Sequence, residues 1–93
     1  MLKIQFSGEF VSYYKSLIKK HPSLIKETTK RINWFRKNPQ DTRLRNHLLK
    51  RKMKGKFAFS ITDDIRIVYE WLGKSTVRFL AIGEHEKVYT SKK

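Results

Sequence analysis

Among the residues of this sequence, the three histidines, His21, His47 and His85, are the best suited to moving protons near neutral pH. His21 stands immediately before Pro22 and reads as a surface turn residue. His47 follows Asn46 and opens a strongly basic stretch, and His85 lies in the late run Gly83-Glu84-His85-Glu86-Lys87-Val88-Tyr89. Two imidazoles placed on either side of a cationic segment could serve as the acid–base pair of a metal-free ribonuclease. A histidine at a strand end can equally be structural, and spacing alone leaves both readings open. The histidines are far apart, with no HxxxH pair and no carboxylate cluster, so neither a metal nor any other cofactor is expected. Asp63-Asp64 could hold a cation, but the pair is more simply a tight-turn signal. No glycine-rich phosphate loop and no Ser–His–Asp order stands out.

The charge pattern names the kind of substrate such a pair would meet. Lysine and arginine number 22 against 8 acids, a formal net charge of +14. Arg43, Arg45, Lys50, Arg51, Lys52, Lys54 and Lys56 fall in one window that contains no acid. One reading is a solvated loop that aids solubility; the other is a rail for the phosphates of a nucleic acid strand. Phe57 and Phe59 follow it and could stack on bases, although their phase with Ile61 suits a buried strand face better. A field of this sign draws nucleic acid, an anionic membrane or an acidic protein. The membrane reading needs a basic amphipathic helix. The second helical segment carries Lys26, Lys30, Arg31, Arg36 and Lys37, but its apolar stripe is needed for the core, so this reading ranks last and no membrane partner is expected. No apolar run approaches the ~20 residues of a spanning helix. The opening Met1-Leu2-Lys3-Ile4-Gln5-Phe6 alternates like a strand, and a cytoplasmic location is expected. With no cysteine there is no disulfide framework.

The elements that must position these residues follow from periodicity. Leu2, Ile4 and Phe6 predict a first strand, and Ser7 a helix N-cap. Phe10, Tyr14, Leu17 and Ile18 predict a helix from Glu9 to about Lys20. Pro22 marks the start of a second helix with Ile25, Thr28, Ile32 and Phe35 on one face, and Asn38-Pro39 ends it. Residues 38 to about 56 read as a long connection. Three strands follow: one through Phe57, Phe59 and Ile61, one over 65–71, and one over 76–82. Turns at Asp63-Asp64 and over 72–75 join them. The last strand is apolar on both faces through Leu80-Ala81-Ile82 and is expected to be central. The expectation is a single α+β domain over 1–93: an N-terminal strand, a helical hairpin, then a three-stranded antiparallel meander, with the hairpin on one sheet face.

The late motifs carry a family resemblance. The run Ser60-Ile61-Thr62-Asp63-Asp64-Ile65-Arg66-Ile67-Val68-Tyr69, followed by Ala81-Ile82-Gly83-Glu84-His85-Glu86-Lys87-Val88-Tyr89, resembles the RelE/ParE toxin superfamily, most closely its RelE/StbE-type, YafQ-like branch. His47-Leu48-Leu49 ahead of Lys54-Gly55 is similar to a further segment of that branch. The resemblance implies a toxin of a type II toxin–antitoxin pair that cleaves mRNA, on the ribosome, and is silenced by a cognate antitoxin. It implies metal-independent chemistry in which the ribose 2′-hydroxyl attacks the adjacent phosphate. Carried over position by position, it implies His85 as general acid and His47 as base. Asp64 becomes a base or the orienter of a histidine, Arg66 a phosphate-binding cation, and Tyr89 an aromatic at the base or phosphate. Lys52, Lys54 and Lys56 would hold the backbone. The branch often has a further histidine near position 60, where this sequence has Ser60. Simpler roles stand beside these: Asp64 as a turn former, Arg66 as surface charge, Tyr89 as a core-edge aromatic.

Two other functions are compatible with the same resemblance. ParE-like relatives share the architecture and are linked to poisoning of DNA gyrase, although the His-x-x-x-Tyr ending favours the RNA-cleaving branch. A binding module for RNA or the ribosome, without turnover, would need only the basic window.

Overall fold

The computed structural model describes residues 1–49 and 54–84. Its two helices form the expected hairpin. The first, α1 (Gly8–Lys20), begins at Ser7, whose hydroxyl accepts the Phe10 N–H at 3.0 Å. Glu9 in the first turn and Lys19 and Lys20 in the last complement the helix dipole. The second, α2 (Leu24–Lys37), starts two residues beyond Pro22. Pro22 lies in the preceding turn, where its carbonyl accepts the Ile25 N–H at 3.2 Å. The helix stops at Asn38, as the Asn-Pro step requires.

Five strands form one mixed sheet in the order β1-β5-β4-β3-β2. They are β1 (Lys3–Phe6), β2 (His47–Leu48), β3 (Phe57–Ser60), β4 (Ile65–Trp71) and β5 (Thr76–Glu84). The meander β3-β4-β5 is antiparallel throughout, as its alternation and short turns dictate. β1 lies parallel to β5, with Ile4 opposite Val77 and Phe6 opposite Phe79. β5 therefore has neighbours on both sides, as its apolar character predicts.

Beyond the later start of α2, the structure departs from the sequence reading in three further places. The connection after α2 is not irregular throughout: a 3-10 turn (Thr42–Leu44) leads into β2, which pairs with β3 through His47–Ala58 and Leu48–Phe57. Beyond this pair the Leu49 N–H donates to the Lys56 carbonyl at 2.8 Å, which extends the β2–β3 pairing as far as Leu49 and Lys56. β5 continues to Glu84 and carries a bulge: Val68 opposes Ala81 while Tyr69 opposes Phe79, leaving Leu80 as the extra residue. Ile25, expected on the buried stripe of α2, is 46% exposed.

Both helices cover the same sheet face. Phe35 of α2 stacks on Phe59 with ring centroids 4.5 Å apart, and Phe10 of α1 meets the edge of Phe79 at 5.4 Å. Ile61, Ile65, Ile67, Tyr69, Val77 and Ile82 complete this core, which Leu44 of the 3-10 turn also enters. Phe59 is fully buried, and Phe57 is half-buried and stacked on Tyr69 at 5.6 Å. Their phase with Ile61 therefore decides against base stacking.

Candidate nucleic-acid interface

Side chains alternate across a strand, so residues between the core positions point away from the helices. The pairing registers arrange them in rows. One row runs His47, Ala58, Val68, Ala81 across β2, β3, β4 and β5. The next runs Ser60, Arg66, Gly83. His47 and Arg66 thus share the face opposite the helices, two strands and two residues apart, or roughly 12 Å between Cα atoms at ordinary sheet spacings. The centre of this face is apolar: Leu49, Ala58, Val68, Ala81 and Leu80 form a second, smaller cluster. The β5 bulge accounts for Leu80 joining Ala81 there. On the side of this cluster away from Arg66, Glu70 lies between Lys56 Nζ at 3.8 Å and Arg78 Nη1 at 3.5 Å.

His47 is exposed at the sheet edge, and its Nδ1 lies 2.9 Å from the Arg45 carbonyl. Arg45 has φ 53 and ψ 43, the left-handed conformation. It is the only non-glycine residue with positive φ among the described residues. Such a conformation costs ~1–3 kcal/mol and persists only where neighbours enforce it. Here the Arg45 N–H closes the 3-10 turn onto the Thr42 carbonyl at 3.3 Å. On the other side Asn46 is anchored: its Nδ2 donates to the Pro39 carbonyl at 2.8 Å, and its Oδ1 accepts the Tyr69 hydroxyl at 2.9 Å. Burial pushes the Tyr69 phenol up to about 12, so this hydroxyl stays protonated as a donor.

Arg66 is half-buried, and its Nη1 donates to the Thr62 carbonyl at 2.9 Å and the Asp63 carbonyl at 2.6 Å. Among the described residues nothing engages its Nε or Nη2, which leaves the edge of the guanidinium that can hold two oxygens of one phosphate. Asp64 sits exposed in the turn between β3 and β4. The Thr62 hydroxyl accepts the Asp64 N–H at 3.3 Å and the Ile65 N–H at 3.1 Å, which shapes that turn. Ser60, beside Arg66 in register, is 4% exposed, and its Oγ has no hydrogen-bond partner among the described residues.

The remaining basic residues divide. Lys54 is exposed beside Gly55, whose φ of 87 suits glycine, and Lys56 makes the contact to Glu70. Arg43 is engaged elsewhere. Its guanidinium lies 3.6 Å over the Trp34 ring and makes a 2.7 Å ion pair with Asp41. The hydrogen bonds from Arg43 hold the Asp41 carboxyl down at about 2. Arg31 completes this clamp. It donates to Glu27 at 2.8 Å, to the Arg43 carbonyl at 3.0 Å and to the Ser60 carbonyl at 3.4 Å, tying α2 to the connection and to β3. The Arg31 hydrogen bond lowers the Glu27 carboxyl. His85, Tyr89, Lys50, Arg51 and Lys52 lie outside the described residues.

Sequence reasoning missed Glu70, Arg78 and the Arg45 backbone. Alternation counted from Arg66 through Val68 marks Glu70 as sharing its face. No residue-type signal marks a left-handed arginine. Among the described residues no group of three or more His, Cys, Asp or Glu could hold a metal, and no helix is long and apolar enough to cross a membrane.

No protein-family model matches the sequence, and no curated protein matches it. Solved structures do match. YafQ from E. coli strain BL21(DE3) is 21% identical with a TM-score of 0.79, over 96% of this chain and 99% of that one. A YoeB/ParE toxin from Agrobacterium tumefaciens is 18% identical with a TM-score of 0.76, over 90% of this chain and 99% of that one. A chain of the E. coli DinJ–YafQ complex is 22% identical with a TM-score of 0.71, over 96% of this chain and 99% of that one. The likeness read from the late motifs thus extends to the fold: this chain has the α+β fold of the YafQ and YoeB toxins.

Proposed function

We propose that this protein is the toxin of a type II toxin–antitoxin pair and a metal-independent endoribonuclease acting on mRNA at the ribosome in the cytoplasm. The observation that carries this reading is the shared face of His47 and Arg66, on a YafQ-like sheet whose β2–β3 edge carries Arg45, Lys54 and Lys56. Arg66 offers the Nε and Nη2 edge of its guanidinium to the scissile phosphate, while Arg45, Lys54 and Lys56 hold neighbouring phosphates. His47 accepts the proton of the 2′-hydroxyl as O2′ bonds to phosphorus. The P–O5′ bond breaks, and His85 supplies the proton to the 5′ oxygen. Tyr89 contacts the base or phosphate beside the break, and Asp64 orients a histidine. The products carry a 2′,3′-cyclic phosphate and a 5′-hydroxyl.

Purified protein with mRNA, with and without ribosomes and with chelator present, is expected to yield such ends. His85→Ala should slow cleavage about 10²-fold or more if it is the general acid. Full activity in that variant would remove His85 from the mechanism. The net charge of +14 fits an acidic antitoxin, and the DinJ–YafQ complex is a case in which a protein of the same fold is bound to a partner protein. Rescue of growth by co-expression of an adjacent small gene tests that partner.

A second reading follows from the ParE-like side of the resemblance, a toxin that acts on DNA gyrase without cutting RNA; a YoeB/ParE toxin is among the structures with this fold. Expression in cells separates the two: immediate loss of translation supports cleavage, whereas DNA damage with continuing translation supports the gyrase reading.

A further inference from the structure

We infer that the left-handed backbone of Arg45 fixes the tautomer of His47, making Arg45 a positioning residue for proton abstraction; this rests on the nuclease reading above. A carbonyl oxygen can only accept a hydrogen bond. The 2.9 Å contact between the Arg45 carbonyl and His47 Nδ1 therefore requires the proton on Nδ1. In the neutral ring this leaves the lone pair on Nε2, which among the described residues has no partner, on a ring exposed at the sheet edge. That is the less populated tautomer of a free neutral imidazole side chain, so the protein has to select it. The device is local. The left-handed turn at Arg45, closed by its N–H on Thr42, aims its carbonyl back at the ring two residues on. Asn46, between them, is held by Pro39 and Tyr69, so the strand cannot rotate the ring away. The step this prepares is balanced: the 2′-hydroxyl proton passes to Nε2, O2′ bonds to phosphorus, P–O5′ breaks, and the 5′ oxygen takes its proton from the general acid.

The experiment is 15N NMR of the imidazole rings in the RNA-free protein, at a pH where His47 is neutral, paired with RNA cleavage rates. The native protein should show His47 protonated on Nδ1. Arg45→Gly and Arg45→Val remove the same charge, but only glycine adopts the left-handed region freely and a β-branched residue resists it. Arg45→Gly should keep the Nδ1–H signature. Arg45→Val should shift His47 to Nε2–H and cleave at least about tenfold more slowly than Arg45→Gly. A native His47 protonated on Nε2 in a protein that cleaves RNA overturns this inference alone. So do two variants with equal cleavage rates despite different tautomers. A native protein that leaves RNA intact overturns the nuclease reading and this inference with it.

Discussion

The two faces of the sheet are made from alternate residues of the same strands, yet they are filled in opposite ways. Toward the helices, β3, β4 and β5 present Phe59, Ile67, Tyr69 and Phe79, which close on Phe10 and Phe35 in one aromatic core. Away from the helices the same strands present Ser60, Arg66, Glu70 and Arg78 around a small apolar centre. A 93-residue chain has apolar surface for only a modest core, and most of it lies on the helix side. Concentrating burial on one face lets the other tolerate like charge, a Ser60 hydroxyl without a partner among the described residues, and a strained arginine at its edge. Local destabilisation near a site often accompanies function, because groups already satisfied by the protein have nothing left to offer a ligand.

The largest test of this division is to hollow the helix side. Phe59→Ala removes a fully buried ring stacked on Phe35 and should cost ~3–5 kcal/mol, read as a lower urea midpoint. Next is the opposite experiment. Arg66→Gln should lower RNA cleavage by about 10²-fold, the scale for losing one charged donor at a reacting phosphate, while stability falls by only ~1 kcal/mol with the two turn carbonyls. A variant that instead unfolds the protein would erase the distinction between the faces.

Tyr69→Phe probes the point where the faces communicate, since its hydroxyl reaches from the core to Asn46 beside His47. It should cost ~1–2 kcal/mol for the lost hydrogen bond, with the aromatic packing retained. The smallest effect belongs to Asp41. Its carboxyl is held at about 2 against an ordinary 3.8, so its pairing with Arg43 stabilises the fold above pH 4. That contribution fades as pH falls toward 2. Asp41→Asn should lower the melting temperature slightly near neutrality and flatten its dependence on pH across this window, a small effect because the pair lies at the surface with Arg43 exposed.

What could be read from the sequence was local. Ser7 as a cap, Asn38 as a stop and the meander from Phe57 onward each depend on residues a few positions apart. Phe59 in the core follows from its phase with Ile61. What could not be read depends on distant partners. β2 is a two-residue strand that exists because β3 offers it an edge, and no alternation can announce a strand so short. The bulge at Leu80 reads as an unbroken apolar run until its partner strand is in place. The candidate site was legible as a list of residue types more than as a geometry. His47 stands out by its imidazole beside the basic window and Arg66 through the family likeness, and the sheet register puts them on one face. Arg43 looked like its basic neighbours but folds back onto Trp34 and Asp41, which precede it in the chain.

The parallel pairing of β1 with β5 joins the beginning of the chain to nearly the last described segment. During synthesis, the N-terminal strand therefore has no neighbour to bond until residues past Phe79 have left the exit tunnel. Until then Phe6 has only Phe10 of the two rings it packs against, and α1 has no finished sheet surface to lie on. The two helices can form early, but the sheet closes only after the residues of β5 have emerged. A truncated product is thereby denied both a complete sheet and the outer face that the sheet supports.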